Sequence, residues 1–404
     1  MDVTELRVAL FSGNYNYVRD GANQALNRLV DYLLREGAKV RVYSPKVKTP
    51  AFDPVGDLVG VPAIPLPGRA EYRAPLVLTP GVKKDLHRFG ANMIHVASPE
   101  LLGHAAVRHA HKNRLPCVAS VHTRFETYPR YYGFAFLEPM VEAGLRRFYR
   151  RCDAIFAPSE SMAQLLRDQR MNFDVGIWSR GIDRDIFTPE RREMGWRRAL
   201  GIDDDEAVIG FVGRLVMEKG LDVFADTIDE LGRRGYRVRP LIVGDGPAKE
   251  WFEKRLPEDA VFAGFQRGEA LGRAAASMDV LLNPSVTETF GNVTLEAMAC
   301  GVAVVAADAT GSRSLVEDGT GALVRPGAIG AFADAVGHYA KDLAAREAAG
   351  AAGRKASRAY EWDTVNKALL DGYLRIERQR ERGQRGGTPG LGRIWPGAQV
   401  PPRG

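Results

Sequence analysis

Residues 279–308 read DVLLNPSVTETFGNVTLEAMACGVAVVAAD, an apolar run, a polar loop, a helical pattern and a second apolar run in succession. DVLLNPS predicts a strand, VTETFG a loop, NVTLEAMAC a helix with Gly301 at its C′ position, and VAVVAAD another strand. That order is the repeating unit of a parallel sheet covered by helices. The N–H groups of Gly291, Asn292 and Val293 at the helix start form an anion site, strengthened by the positive end of the helix dipole. Phosphate is the natural guest. Glu288 and Glu296 flank this start, eight positions apart. Glu296 lies about one turn inside the helix, roughly 6 Å along the axis at ~1.5 Å per residue. A carboxylate repels a phosphate but accepts well from paired hydroxyls, so the segment suits a ligand with a diol on each side of a pyrophosphate. A lone Glu at the position of Glu296 more often just complements the helix dipole or faces solvent.

The same alternation starts twice along the chain. A first series takes LRVALFS (6–12), the helix GANQALNRLVDYLLREG (21–37), AKVRVYSP (38–45), MIHVAS (93–98), PCVASVH (116–122) and AIFAPS (154–159). In that helix Ala25, Leu29, Tyr32 and Leu33 share one face at the i, i+4, i+7, i+8 spacing. A second series takes AVIGFVGRL (207–215), RPLIVGDG (239–246), AVFAGF (260–265) and the two strands of the opening segment. Between them, residues 181–207 are dense in charge and turn residues, and the hinge is expected there. A chain of 404 residues exceeds one ordinary core. The expected fold class is therefore α/β, with two doubly wound Rossmann-like domains facing a central cleft. Their expected bounds are 1–190 and 191–360, followed by a closing helix over 361–382 and a disordered Gly/Pro/Arg-rich tail over 383–404.

Charged residues at 26% and hydrophobic ones at 45% are ordinary for a globular chain, neither disordered nor membrane-spanning. A net charge of +6 suits anionic small molecules or an anionic membrane surface. No zinc-finger spacing, aromatic RNP pattern or coherent basic helix supports nucleic acid as a partner. Cys117, Cys152 and Cys300 are odd in number and widely spaced, which implies neither a disulfide framework nor a structural zinc site and fits a reducing cytoplasm. The N-terminus runs straight into a strand without a charged leader, and no apolar run reaches the ~18 residues of a membrane span. The expected state is soluble, or peripheral on a membrane through the basic LRRFYRR (145–151).

GFVGRLVMEKGLDVF (210–224) runs from a strand into Gly213, Arg214, Lys219 and Gly220. Two cations at a strand end suit a diphosphate, the Arg as a fork and the Lys as a point charge. On these motifs the domain resembles the donor-binding half of a GT-B glycosyltransferase of family 4. That retaining group is marked by Glu-x7-Glu, here Glu288 to Glu296, and by Gly-Arg-Leu-x3-Lys-Gly, here Gly213-Arg214-Leu215 and Lys219-Gly220. IWSRGIDRDIFTP (177–189) resembles the branch that holds GDP-mannose-dependent α-mannosyltransferases and sulfoquinovosyldiacylglycerol synthases. The resemblance implies that Arg214 and Lys219 stabilise the leaving nucleoside diphosphate, Glu296 binds the ribose and Glu288 the donor sugar. It further implies that backbone groups of Phe290, Gly291 and Asn292 hold the sugar and phosphate, with the base near Phe265 and Gln266.

In the first domain, Gly21 near the first helix start can approach the donor phosphates, as a glycine-bearing loop does in the resembling family. His122 closes the strand PCVASVH at the active edge of the sheet. The resemblance implies that it reaches the donor sugar and stabilises developing positive charge through its carbonyl. Arg180 is a candidate residue of the cleft, near a phosphate of donor or acceptor. FETYPRYY (125–132) is suited to pack on a sugar or a lipid headgroup, and the stretch from Trp362 resembles a helix returning to the first domain. His109 and His111, two apart on a helix, point to different faces and make no metal site. The acidic cluster GIDDDEA (201–207) precedes a strand rather than ending one, and reads as a solvated turn.

The reaction expected is α-retaining transfer of a hexosyl unit, mannosyl favoured, from a nucleoside diphosphate sugar to an acceptor hydroxyl on a carbohydrate or lipid. No cofactor and no metal are expected, since Arg214, Lys219 and the helix start carry the counter-charge. Two other classes fit the fold. A catalytically silent sugar-binding or scaffold protein would not need both Glu residues with Arg214, Lys219 and His122. A dinucleotide-dependent oxidoreductase would carry a G-x-G-x-x-G after its first strand, which is missing.

Overall fold

The strands of the first unit are short: β1 (Arg7–Phe11), β2 (Lys39–Ser44), β3 (Asp57–Gly60), β4 (Ala63–Leu66), β5 (Arg69–Pro75), β6 (Met93–Val96), β7 (Cys117–Ser120), β8 (Ala154–Ala157) and β9 (Val175–Ile177). Seven of them form one sheet in the order β3-β2-β1-β6-β7-β8-β9, with every pairing parallel, and β4 pairs with β5 as an antiparallel hairpin. β6, β7 and β8 are buried at every position, the pattern of strands covered by helices on both faces. This is a computed structural model, and it describes residues 2–18, 20–66, 69–75, 77–127, 129 and 133–385. Tyr128, Arg130, Tyr131 and Tyr132 of the aromatic run, and residues 386–404 of the tail, lie outside the described residues.

Helix Gly21–Arg35 starts at the N-cap Asp20, whose carboxylate accepts from the Asn23 N–H at 2.8 Å. Leu26, Leu29, Val30 and Leu33 of its apolar face pack with Val8 and Leu10 of β1. The same core takes Leu369, Leu370, Tyr373 and Ile376 from helix Trp362–Arg385, with Trp362 packed at its margin. The chain divides accordingly into one unit holding residues up to Arg180 and from Trp362 onward, and a second holding Gly181–Glu361.

The second unit has β10 (Ala207–Val212), β11 (Val238–Val243), β12 (Val261–Gly264), β13 (Val280–Asn283), β14 (Ala303–Ala307) and β15 (Gly321–Val324), in the order β12-β11-β10-β13-β14-β15. All neighbours are parallel. The strand order reverses between β10 and β13, which makes their carboxyl ends the switch point of this sheet. In the first sheet it reverses between β1 and β6.

The charge-rich residues 181–207 are not a loose connector. Ile182, Phe187 and Ile202 are buried in the second core. Arg192 and Arg197 reach the carboxylate of Asp279 at 2.7 and 3.0 Å, and the same group accepts from the Val208 N–H at 2.7 Å. A buried acid answered by two guanidiniums and a backbone donor fixes the segment to the start of β13. In the acidic turn beyond it Asp204 pairs outward with Arg198 at 2.6 Å, while Glu206 turns inward to the largely buried Arg239 at 2.8 Å.

Candidate active site

Two loops flank the switch point of the second sheet. After β10 the chain passes Gly213 (φ 148°) and the exposed Arg214, then a 3-10 turn Met217–Lys219 ending at Gly220 in the left-handed region (φ 75°). After β13 it passes Pro284 and Glu288 to Gly291. The loops are tied across the gap: Thr287 Oγ1 donates to the Glu218 carbonyl at 3.2 Å, and Lys219 Nζ donates to Glu288 Oε1 at 2.7 Å. Gly213 is held from behind by Gly244 in the loop after β11, where a Cβ would stand 1.8 Å from the Gly213 carbonyl oxygen. Only a glycine admits that approach.

Helix Asn292–Ala299 begins after Gly291 (φ 97°), a cap without a side chain to satisfy its first N–H groups. Asn292 and Val293 are therefore its first donors. The Phe290 side chain is buried in the core, its ring edge-on to Tyr360 at 5.7 Å, so this residue offers its backbone to the site. Glu288 is set from behind as well. Thr310 Oγ1 donates to its carbonyl at 2.9 Å, and Gly311 lies so close that a Cβ would stand 2.8 Å from Glu288 Cβ. One locus thus gathers Arg214, Lys219, Glu288, the 290–293 backbone and Glu296. Phe265, 66% exposed, and Gln266, bonded through Nε2 to the Ala263 carbonyl at 2.6 Å, follow β12 two strands away, about 10 Å across the sheet at ~4.8 Å per strand.

Burial, and second the negative charge of Glu288, push the Glu296 carboxyl up from 4.5 to about 8. The folded protein therefore holds a proton that the unfolded chain releases across that window. This contribution to stability is full below the unfolded value and is lost as pH rises through the folded one. The expected result is a thermal midpoint that falls between pH 4.5 and about 8 more steeply in the wild type than in Glu296→Gln. Parallel midpoint curves for the two proteins would refute the assignment.

In the first unit, Gly21 opens helix Gly21–Arg35 directly behind the Asp20 cap, which burial pushes above the usual carboxylate range. β7 ends at Ser120, so His122 stands two residues beyond the strand rather than in it. Ser120 Oγ meets His122 Nε2 at 2.8 Å, and Arg180 Nη2 donates to His122 Nδ1 at 2.7 Å. Arg180 is only 4% exposed, with its guanidinium 5.2 Å over the Trp178 ring and Nη1 donating to the Trp178 and Ser179 carbonyls. Among the described residues this places Arg180 on His122. His109 and His111 have separate neighbours, Asn113 for the first and the Arg151 carbonyl for the second at 2.7 Å.

Sequence reasoning passed over Asp20, Ser120 and Glu100. Ser120 was visible in principle, since a serine two before His122 shares its face if the strand pattern continues. Glu100 follows β6 at the first switch point and accepts from Ser98 Oγ at 2.7 Å and from the Gly13 N–H. Burial pushes its carboxyl to about 7, opposed by those two donors.

Two parallel sheets, each with its switch point furnished at the carboxyl ends, and a cation pair beside an uncapped helix start define a glycosyltransferase of GT-B architecture. Family models agree: "Glycosyltransferase Family 4" matches residues 19–186 and "Glycosyl transferases group 1" matches residues 206–342. The GDP-mannose-dependent alpha-mannosyltransferase of Mycolicibacterium smegmatis is 34% identical over 91% of this chain and 97% of its own length. Sulfoquinovosyl transferase SQD2 of Arabidopsis thaliana is 30% identical over 88% of this chain and 71% of its own. HepE of Anabaena, solved with UDP and glucose, shares the fold at a TM-score of 0.70 and 19% identity, covering 92% of this chain and all of that one. The chain belongs to glycosyltransferase family 4. It is a hexosyltransferase that uses a nucleotide sugar, and no helix among its described residues is long and apolar enough to cross a membrane.

Proposed function

We propose that the protein moves a mannosyl unit from GDP-mannose to an acceptor hydroxyl with retention of the α configuration. The Lys219–Glu288 pair at 2.7 Å, beside the helix start at Gly291, is the observation that carries this reading. It sets a cation for the departing diphosphate next to a carboxylate for the sugar hydroxyls, while Glu296 takes the ribose and Phe265 with Gln266 the base. The bond from the anomeric carbon to the phosphate oxygen breaks, and the acceptor oxygen bonds to that carbon on the same face. The acceptor's proton passes to the departing phosphate oxygen. Arg214, Lys219 and the helix start oppose the growing charge on the diphosphate, so the proposal includes no metal and no organic cofactor. Gly21 and the His122 carbonyl are the first unit's proposed contributions to the reaction.

The chemistry of the relatives supports mannose and GDP. Incubation with GDP-mannose, UDP-glucose and UDP-sulfoquinovose, with released nucleotide and product mass recorded, tests it. GDP release from GDP-mannose is expected to dominate. Preference for a UDP sugar overturns the donor, and release from none overturns the reading. The acceptor we propose is a glycolipid or polysaccharide precursor met at the inner face of the membrane. Supporting this, Phe134, Phe136 and Met140 are 52%, 75% and 65% exposed, at and just before the start of helix Glu138–Tyr149, which also carries the exposed Arg147. Failure to sediment with anionic vesicles at low salt removes that part.

A further inference from the structure

Behind His122 the first unit carries a line of buried polar groups that the proposed chemistry does not use. Ser120 Oγ, already bonded to His122 Nε2, meets His95 Nε2 at 2.8 Å, and His95 Nδ1 meets the Tyr373 hydroxyl at 2.5 Å. His95, Ser120 and Tyr373 are 0%, 1% and 0% exposed. Tyr373 comes from helix Trp362–Arg385, 278 residues along the chain from His95.

A guanidinium has donors only, and Arg180 Nη2 points at His122 Nδ1. That nitrogen must accept, so the proton of a neutral His122 resides on Nε2 and is donated to Ser120 Oγ. Ser120 has a single proton and bonds to the two histidines, so it donates to His95 Nε2. His95 then carries its proton on Nδ1 and donates to Tyr373. The opposite direction would leave His122 with two accepting nitrogens and no proton, which a neutral imidazole does not allow.

We propose that Arg180, Ser120, His95 and Tyr373 are positioning residues that lock His122 as a neutral imidazole protonated on Nε2, through a hydrogen-bond relay directed from Arg180 to helix Trp362–Arg385. Both ring nitrogens are then engaged, and His122 serves the reaction by the placement of its backbone and not as an acid or base. Among the described residues, the charged and titratable groups acting on it include Arg180 and, through Ser120, His95; Asp20 faces Arg180, and Trp178 packs edge-on at 5.5 Å. Burial, then the Arg180 charge, then His95 hold the His122 imidazolium far down. Burial likewise brings His95 to about 3.

The catalytic consequence rests on the hexosyl transfer proposed above, whereas the tautomer does not. Histidine-selective ¹⁵N labelling of the intact chain reads the tautomer directly, with His122 assigned by the signal lost in His122→Gln or shifted in Ser120→Ala. The expected spectrum shows protonated Nε2 and bare Nδ1, unchanged between about pH 5.5 and about 8.5. A protonated Nδ1, or an imidazole titration in that range, overturns the proposal. Tyr373→Phe keeps the packing and removes the acceptor for His95, so kcat is expected to fall about tenfold with donor KM within about twofold. Unchanged kcat with only a lowered thermal midpoint would make the relay structural and overturn its positioning role. If His122 shows the expected tautomer and no donor is consumed, the reading of function fails and the relay stands.

Discussion

Glu288→Ala is expected to lower kcat/KM for the transferred sugar at least about a thousandfold, while the thermal midpoint changes little. The side chain is 15% exposed and bonds to Lys219 rather than packing in the core, so its loss opens no apolar cavity. Its place is prepared by neighbours that survive the substitution. Thr310 holds its carbonyl, Gly311 makes room for its Cβ, and the loop on which it stands is anchored by buried Phe290. On the function proposed above, what disappears is an acceptor for sugar hydroxyls that become more acidic as positive charge builds on the ring, an interaction stronger in the transition state than in the bound donor. Glu288→Gln separates shape from charge: the amide still accepts once but no longer balances Lys219. Product formation followed by mass spectrometry, with circular dichroism as the check on folding, reads both. Turnover within about tenfold of wild type with every donor tried would remove Glu288 from the chemistry.

Lys219→Ala is expected to reduce kcat about a hundredfold to a thousandfold, with a smaller rise in donor KM. The diphosphate gains charge as the glycosyl bond breaks, so a fixed cation helps the departing group more than the bound one. Lys219 ends a turn closed by Gly220, which is in the left-handed region and lies close against Pro284, where a Cβ would make a tight contact at 3.1 Å. The ammonium is therefore delivered from a braced position and not from a wandering surface chain. Lys219→Arg retains the charge but places a wide fork where a compact donor stood, and recovery to less than about a tenth of wild type is expected. An unchanged kcat with a raised donor KM would instead mark Lys219 as a uniform binding group.

Much of this arrangement is legible before any coordinates, because strand ends advertise themselves. DVLLNPS and AVIGFV are continuous apolar runs stopped by Pro284 and Gly213, and a doubly wound sheet directs such ends to one edge. Charge composition misleads at residues 181–207, since Arg192 and Arg197 look like surface charges until Asp279 is folded against them. No local pattern tells a solvated arginine from a buried paired one. Arg180 shows the same limit: its motif neighbours suggest a phosphate ligand, yet its guanidinium stacks on Trp178 and bonds to His122. The hairpin of β4 and β5 is weak in sequence because Pro65 interrupts an already short run. His95 and Tyr373 escape sequence reading altogether, being joined only when the last helix docks on the first sheet.

That last docking sets an order of assembly during synthesis. The second unit is one unbroken stretch, Gly181–Glu361, and can complete its core as soon as it leaves the ribosome. The first unit, although begun earlier, must wait with an unfilled core until Leu369, Tyr373 and Ile376 emerge. Nascent chains thus complete the unit bearing Lys219 and Glu288 before the unit bearing His122 is finished. A ribosome stalled before residue 362 would hold a finished second unit joined to an incomplete first one, a species exposed to chaperones and lacking turnover.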